Sequence, residues 1–186
     1  MVQYRHRPVR VAIIGPECSG KTTLAQALTS VLKAQGVKAH CVAEYAREYY
    51  RDRPYQPDSQ DVVAIAREQL AAEQRSATDN ECLICDSTVT TCKIWSEVAF
   101  GYVPSILLAL HRPDTYDLTL LAKPDIPWQA DPLRSHPYAR DWLFSLYEKE
   151  LVAHGVRWIE IAGPHAVRFS RALNEVSAIV KKLPKI

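Results

Sequence analysis

Glycine is scarce: it occurs six times in 186 residues, and two of the six, Gly15 and Gly20, fall within one octapeptide. That scarcity rules out a glycine-rich repeat and makes the one local cluster informative. No apolar run approaches the roughly 20 residues that a membrane helix needs. The run Val11–Ile14 is too short for a secretory leader, so a cytoplasmic protein is expected. Charge of one sign is missing as well. Lys and Arg number 23 and Asp and Glu 21, for a net +2, which gives no electrostatic case for nucleic acid or an anionic membrane as partner. The basic residues Arg5, His6, Arg7 and Arg10 read as a solvated tail. Cysteine is sparse and odd in number, at positions 18, 41, 82, 85 and 92, which suits reduced thiols better than a disulfide framework. Cys82 and Cys85 form a CxxC. There is no second pair, and tetrahedral zinc asks for four ligands, so both are expected to be buried strand residues.

What the chain does have is the mixture of a globular protein, 47 % hydrophobic and 24 % charged, in a length suited to one domain over residues 1–186. Short apolar runs alternate with longer helical patterns. Strands are expected at Val9–Ile14, Lys38–Ala43, Cys82–Asp86, Leu118–Leu121 and Arg157–Ile161, each bounded by turn residues. Helices are expected over Lys21–Gln35 (closed by Gly36), from a Ser59 cap to Ala77, over Thr90–Phe100 and Ile106–Leu110, over Tyr138–Ala153, and from Pro164 as first residue to Lys182. Residues 123–137 hold four prolines and Trp128, and so form an irregular excursion. Strands alternating with helices predict an α/β fold with a five-stranded parallel sheet covered on both faces.

Gly15-Pro16-Glu17-Cys18-Ser19-Gly20-Lys21-Thr22 matches G-x-x-x-x-G-K-[ST] at every fixed position, after a strand and before a helix. Backbone N–H groups of Gly15 to Thr23 would cradle the phosphates of ATP at the positive end of the helix. Lys21 would reach the β- and γ-phosphates, and Thr22 would present its hydroxyl to Mg²⁺. The fold is then a P-loop NTPase three-layer sandwich with a lid at about 123–137. The competing reading, a glycine turn before a helix, requires four fixed positions to match by chance.

Three further groups fall where strands end, which is where an open α/β sheet keeps its ligands. Asp86 closes an apolar strand in the manner of a metal-holding Walker B acid, with Thr22 the second metal residue and Asp86 also a substrate contact. Glu44 and Arg47, in Glu44-Tyr-Ala-Arg-Glu48, suit a proton acceptor and a phosphate-steadying cation. An ordinary helix start with a surface ion pair is the other possibility there. Trp128, Asp131 and Arg134 lie in the proline-rich excursion, where a closing lid would deliver the Arg134 charge to the transferring phosphoryl group. Gln69 is an expected acceptor contact from the helix after Ser59. Lys21, Glu44, Asp86 and Arg134 form the catalytic set, with Glu44 and Asp86 both open as the base.

Taken in this order, Gly15–Leu24, Glu44–Glu48, Asp86 with Thr90-Thr91, Tyr116–Leu118 through Pro124–Trp128, and Asp131–Arg134 resemble the nicotinamide riboside kinase domain of NadR-type proteins and the ATPase-like family built on it. The resemblance runs from about Arg10 to Val180. It implies transfer of the ATP γ-phosphate to the ribose 5′-hydroxyl of a small-molecule nucleoside, first of all nicotinamide riboside, in NAD biosynthesis. It also implies that Ala162-Gly-Pro-His165 lies beside the adenine. The chain departs from that pattern at Asp86-Ser87-Thr88, at Pro132 in place of a lid glycine, and at Ala43 where an aromatic residue is usual. With fourteen residues before Gly15, a stand-alone kinase module is expected. Two other functions remain open from the residues: a kinase for a different nucleoside or nucleotide, and a regulatory nucleotide-binding switch or slow NTPase. Oligomeric state is not encoded in any motif.

Overall fold

The computed structural model describes residues 7–182. Five parallel strands, β1 (Val9–Ile14), β2 (Ala39–Val42), β3 (Cys82–Asp86), β4 (Leu118–Ala122) and β5 (Trp158–Ile161), form one sheet in the order β2-β3-β1-β4-β5. Seven helices connect and cover it: α1 (Lys21–Ala34), α2 (Tyr45–Tyr49), α3 (Ser59–Ala77), α4 (Val89–Phe100), α5 (Ser105–Leu110), α6 (Arg140–Ala153) and α7 (His165–Val180). The α/β sandwich read from the sequence is the architecture observed.

Strand alternation sorts β1 between two cores. Val9, Val11 and Ile13 pack with Leu24, Leu28 and Leu32 of α1 and with Ala172 and Val176 of α7. Ala12 and Ile14 pack on the opposite face with Ile94 of α4 and with Phe144, Tyr147 and Leu151 of α6. Burial of both faces explains why the strands read as continuous apolar runs. Cys82 and Cys85 are buried in β3 and free. Because β1 pairs with β3 on one side and β4 on the other, connections leave its carboxyl end in opposite directions, and a crevice opens there.

Several local expectations shift. The α3 cap is Asp58, which accepts from the Gln60 and Asp61 N–H groups while Asp61 returns a bond to the Asp58 N–H; this reciprocal box outcompetes a lone Ser59 hydroxyl. Thr88 caps α4, starting it at Val89. Pro164 is the cap of α7 rather than its first residue, and α6 begins at Arg140, two residues after Tyr138. Tyr45–Tyr49 is a short helix of five residues, too short for a periodic pattern to reveal. Arg10 belongs to β1 and lies 3.8 Å from Glu73, so it is not part of a solvated tail, whereas Arg7 stays exposed while pairing with Asp117. Arg5 and His6 lie outside the described residues. No helix among the described residues is long and apolar enough to cross a membrane.

Candidate functional site

The loop between β1 and α1 is shaped by its two glycines. Gly15 has φ 139°, and a Cβ there would come within 2.5 Å of the Ala122 carbonyl oxygen at the end of β4. Gly20 has φ 75° and stands as the cap residue of α1. Cys18 is also left-handed, with φ 50°. The Ser19 hydroxyl donates to the Pro16 carbonyl at 2.7 Å, and the Lys21 ammonium donates to the Gly15 and Pro16 carbonyls at 2.9 and 2.8 Å. The first turn of α1 holds no acid, so its partial positive charge is left for an anion.

Asp86 ends β3 beside this loop and is 2 % exposed. Burial pushes its carboxyl pKa up, while a hydrogen bond from Thr22 and the charges of Lys21 and Arg47 pull it back. Its Oδ1 is buried without a hydrogen-bond partner. A buried carboxylate oxygen left open next to a threonine hydroxyl is a donor set that fits a hard, oxygen-seeking dication such as Mg²⁺. Glu44, at the cap position of α2, lies 3.4 Å from Arg47. Its carboxyl is raised above the usual range by burial, opposed by Lys21, reinforced by Asp86 and opposed by Arg47.

The excursion carries no regular element from Lys123 to Ala139 and closes on the loop. Glu17 accepts from the Ser135 and His136 N–H groups at 3.0 to 3.1 Å. Cys18 Sγ accepts from the Gln129 N–H at 3.2 Å. Arg47 reaches Asp131 at 3.1 Å. Asp131 opens a turn in which the Arg134 N–H donates to the Asp131 carbonyl at 3.0 Å, and the Leu133 N–H donates to the Asp131 side chain at 3.0 Å. Pro132 thus occupies the second turn position, which its fixed φ suits. The Arg134 guanidinium donates to the Gln129 carbonyl at 2.6 Å.

One cavity of about 450 Å³ is lined by Gly15–Thr23, by Glu44, Arg47 and Arg134, and by an apolar wall including Tyr55, Trp95, Leu143 and Tyr147. The Tyr55 and Trp95 rings lie nearly parallel, 6.3 Å apart. The structure therefore brings Lys21, Thr22, Glu44, Arg47 and Arg134 to a single space. Gln69, Trp128 and Asp131 are not among its lining residues. Gln69 is buried and accepts from the Tyr45 N–H at 2.9 Å, serving the start of α2 rather than facing the cleft. Trp128 packs beneath the Arg140 guanidinium at 5.8 Å. Asp131 is occupied by Arg47 and its own turn.

Residues 10–168 match the family model described as an AAA domain. The chain belongs to that family. Comparison with curated proteins found no match. Among solved structures, this AAA domain superposes on NadR protein in complex with NAD and AMP-PNP with a TM-score of 0.72 at 18 % identity, covering 96 % of this chain and 52 % of that one. A second, NadR protein in complex with NR, gives 0.73 at 19 % identity, covering 96 % and 53 %. The chain thus spans about half the length of those proteins. At such identity the likeness is one of fold, and it agrees with the resemblance carried by the sequence motifs.

Two arginines of the AAA domain had no signal in the sequence. Arg168 of α7, its side chain 6 % exposed, donates to the carbonyls of Ser19, Lys123 and Gly163 at 2.9, 2.8 and 2.6 Å and pairs with Asp125. It ties the phosphate loop to the far edge of the sheet. Arg140 donates to the Cys18 and Ile126 carbonyls at 3.3 and 2.9 Å, joining loop and excursion. Their partners are distant in sequence, and no local pattern announces such contacts. Tyr55 stands alone in an irregular stretch and was equally silent.

Proposed function

We propose that the protein is an ATP-dependent kinase that transfers the γ-phosphoryl group to the ribose 5′-hydroxyl of a nucleoside, with nicotinamide riboside the first acceptor. The observation that carries this reading is the continuity of the cavity: the phosphate loop and a wall containing Tyr55 and Trp95 line the same space, with Glu44 and Arg47. A switch or simple NTPase needs the loop but has no use for an aromatic acceptor wall. The NR and AMP-PNP of the NadR complexes supply the acceptor and donor classes.

In this mechanism the loop amides and Lys21 hold the β- and γ-phosphates. Thr22 and Asp86 would hold Mg²⁺, which when bound neutralises charge on the phosphate oxygens. Glu44 is the base, because it lines the cavity while Asp86 does not. Its carboxylate takes the hydroxyl proton as the acceptor oxygen bonds to the γ-phosphorus and the bond to the β,γ-bridging oxygen breaks. Arg47 fixes Glu44, Arg134 adds positive charge from the closed excursion, and closure excludes water that would otherwise take the phosphoryl group.

The test is incubation with ATP, Mg²⁺ and a nucleoside panel, with products identified by mass spectrometry. Nicotinamide mononucleotide should form, disappear in Lys21→Ala and Asp86→Ala, and fall about 10²–10⁴-fold in kcat in Glu44→Gln. Product from another nucleoside alone would move the acceptor and keep the chemistry. ATP binding with no phosphorylated acceptor would overturn the reading in favour of a switch.

A further inference from the structure

Away from the nucleotide cavity, three side chains from two parts of the chain meet without a mechanistic role. Glu150 and His154 lie one turn apart at the carboxyl end of α6, and His111 follows the last residue of α5. Glu150 Oε1 lies 3.5 Å from His111 Nδ1 and 3.5 Å from His154 Nδ1. It is buried, yet it accepts a hydrogen bond from neither ring. One potential ligand atom from each residue can be chosen so that all three fall within 4.8 Å of one another.

We propose that His111, Glu150 and His154 form a binding site for a divalent transition-metal ion of the zinc class, separate from the nucleotide site. Around a tetrahedral ion with bonds near 2.0–2.1 Å, adjacent ligand atoms stand about 3.3 Å apart, close to both separations; His154 Nδ1 also lies 2.9 Å from the Glu150 carbonyl oxygen, a bond the ring gives up on ligating through that atom. Two imidazoles and one carboxylate suit zinc rather than magnesium. Three protein ligands leave a fourth position for water, and the His154 side chain, 39 % exposed, provides the access.

The surroundings hold the ligands as metal ligands are usually held. His111 Nε2 bonds to the Thr90 hydroxyl at 3.1 Å, which leaves Nδ1 as the metal-facing atom. The other Glu150 oxygen accepts from Lys93 at 2.7 Å, so Oε1 alone faces the rings. The carbonyl end of α6 adds partial negative charge beneath the ion. The Lys93 ammonium opposes it, and the Glu97 carboxylate 3.5 Å from that ammonium offsets part of the repulsion. The ion would pin the end of α6 to the connection between α5 and β4.

The test uses untagged protein stripped with a chelator, titrated with Zn²⁺ by calorimetry and with Co²⁺ by visible absorption. One equivalent should bind, and Co²⁺ should give ligand-field bands with no thiolate charge-transfer band, which separates this site from the cysteines. His154→Gln, on the exposed side and therefore tolerated by the fold, should weaken binding by about a hundredfold or more; Thr90→Val should weaken it by about ten- to a hundredfold. Asp86→Asn should leave it unchanged, separating it from the ATP·Mg²⁺ site, and the outcome does not depend on kinase activity. No saturable Zn²⁺ binding, or binding that His154→Gln leaves intact, overturns the proposal.

Discussion

A Cβ at position 15 would press on the Ala122 carbonyl oxygen at 2.5 Å, whereas one at Gly36 would meet nothing within 4 Å, although both glycines have positive φ. The pair separates conformational strain from collision. Gly36→Ala should cost about 1 kcal/mol, the penalty of a left-handed alanine. Gly15→Ala should cost about 2–4 kcal/mol, because β1 must move away from β4 as well. Urea melts of the two variants check this, and equal losses would mean that Ala122 yields easily. The phosphate loop therefore owes its shape to the neighbouring strand as much as to its own sequence. That dependence is invisible in the motif, which names the glycine without naming Ala122.

At the scale of elements, the loop is held from behind by α7 through Arg168, which satisfies three carbonyls and Asp125. Arg168→Met takes a donor from the carbonyl of buried Ser19 and a charge partner from Asp125, which is exposed and still accepts from the Gly163 N–H at 2.7 Å, for a loss of roughly 1–3 kcal/mol. Arg168→Lys keeps the charge but cannot span the same fan of acceptors. Denaturant midpoints of both variants, with ATP affinity measured in parallel, should show Lys recovering less than half the loss. The β1–loop–α1 unit was legible in sequence because motif, strand run and helical period coincide over Val9–Ala34. The same holds for α3 and α7, whose apolar stripes are long. What could not be read is what depends on distant partners: α2, begun by Gln69, the arginines Arg140 and Arg168, and the meeting of His111 with Glu150 and His154. The carboxylates Glu44 and Asp86 could be placed at strand ends from sequence, but only the cavity distinguishes the lining Glu44 from the buried Asp86.

For the molecule as a whole, pH acts through buried groups of both signs, and Glu73 and His111 show the two directions. Glu73 is fully buried, with the Tyr116 hydroxyl donating to it at 2.9 and 3.1 Å, and burial pushes its pKa from 4.5 up to about 7. The folded state then holds more protons than the unfolded one between those values. Stability that is complete below pH 4.5 is lost as pH rises through 7, by roughly 3 kcal/mol. His111 runs the other way: its pKa falls from 6.5 to about 4, so stability is lost as pH falls through that interval. Glu73→Gln removes the Glu73 share of the first slope, leaving those of Glu44 and Asp86, and leaves the second. Its stability relative to the parent protein should rise by roughly 3 kcal/mol between pH 4.5 and 7, read from urea melts at pH 5 and 8; parallel curves would show that Glu73 does not titrate there. The strand order has a consequence for synthesis on the ribosome. β1 emerges first but hydrogen-bonds only to β3 and β4, whose last residues are Asp86 and Ala122. One edge of this apolar central strand stays unpaired until Asp86 has left the exit tunnel, and the other until Ala122 has. At roughly 5–20 residues per second that is several seconds of exposure for a nascent segment whose edges can pair wrongly.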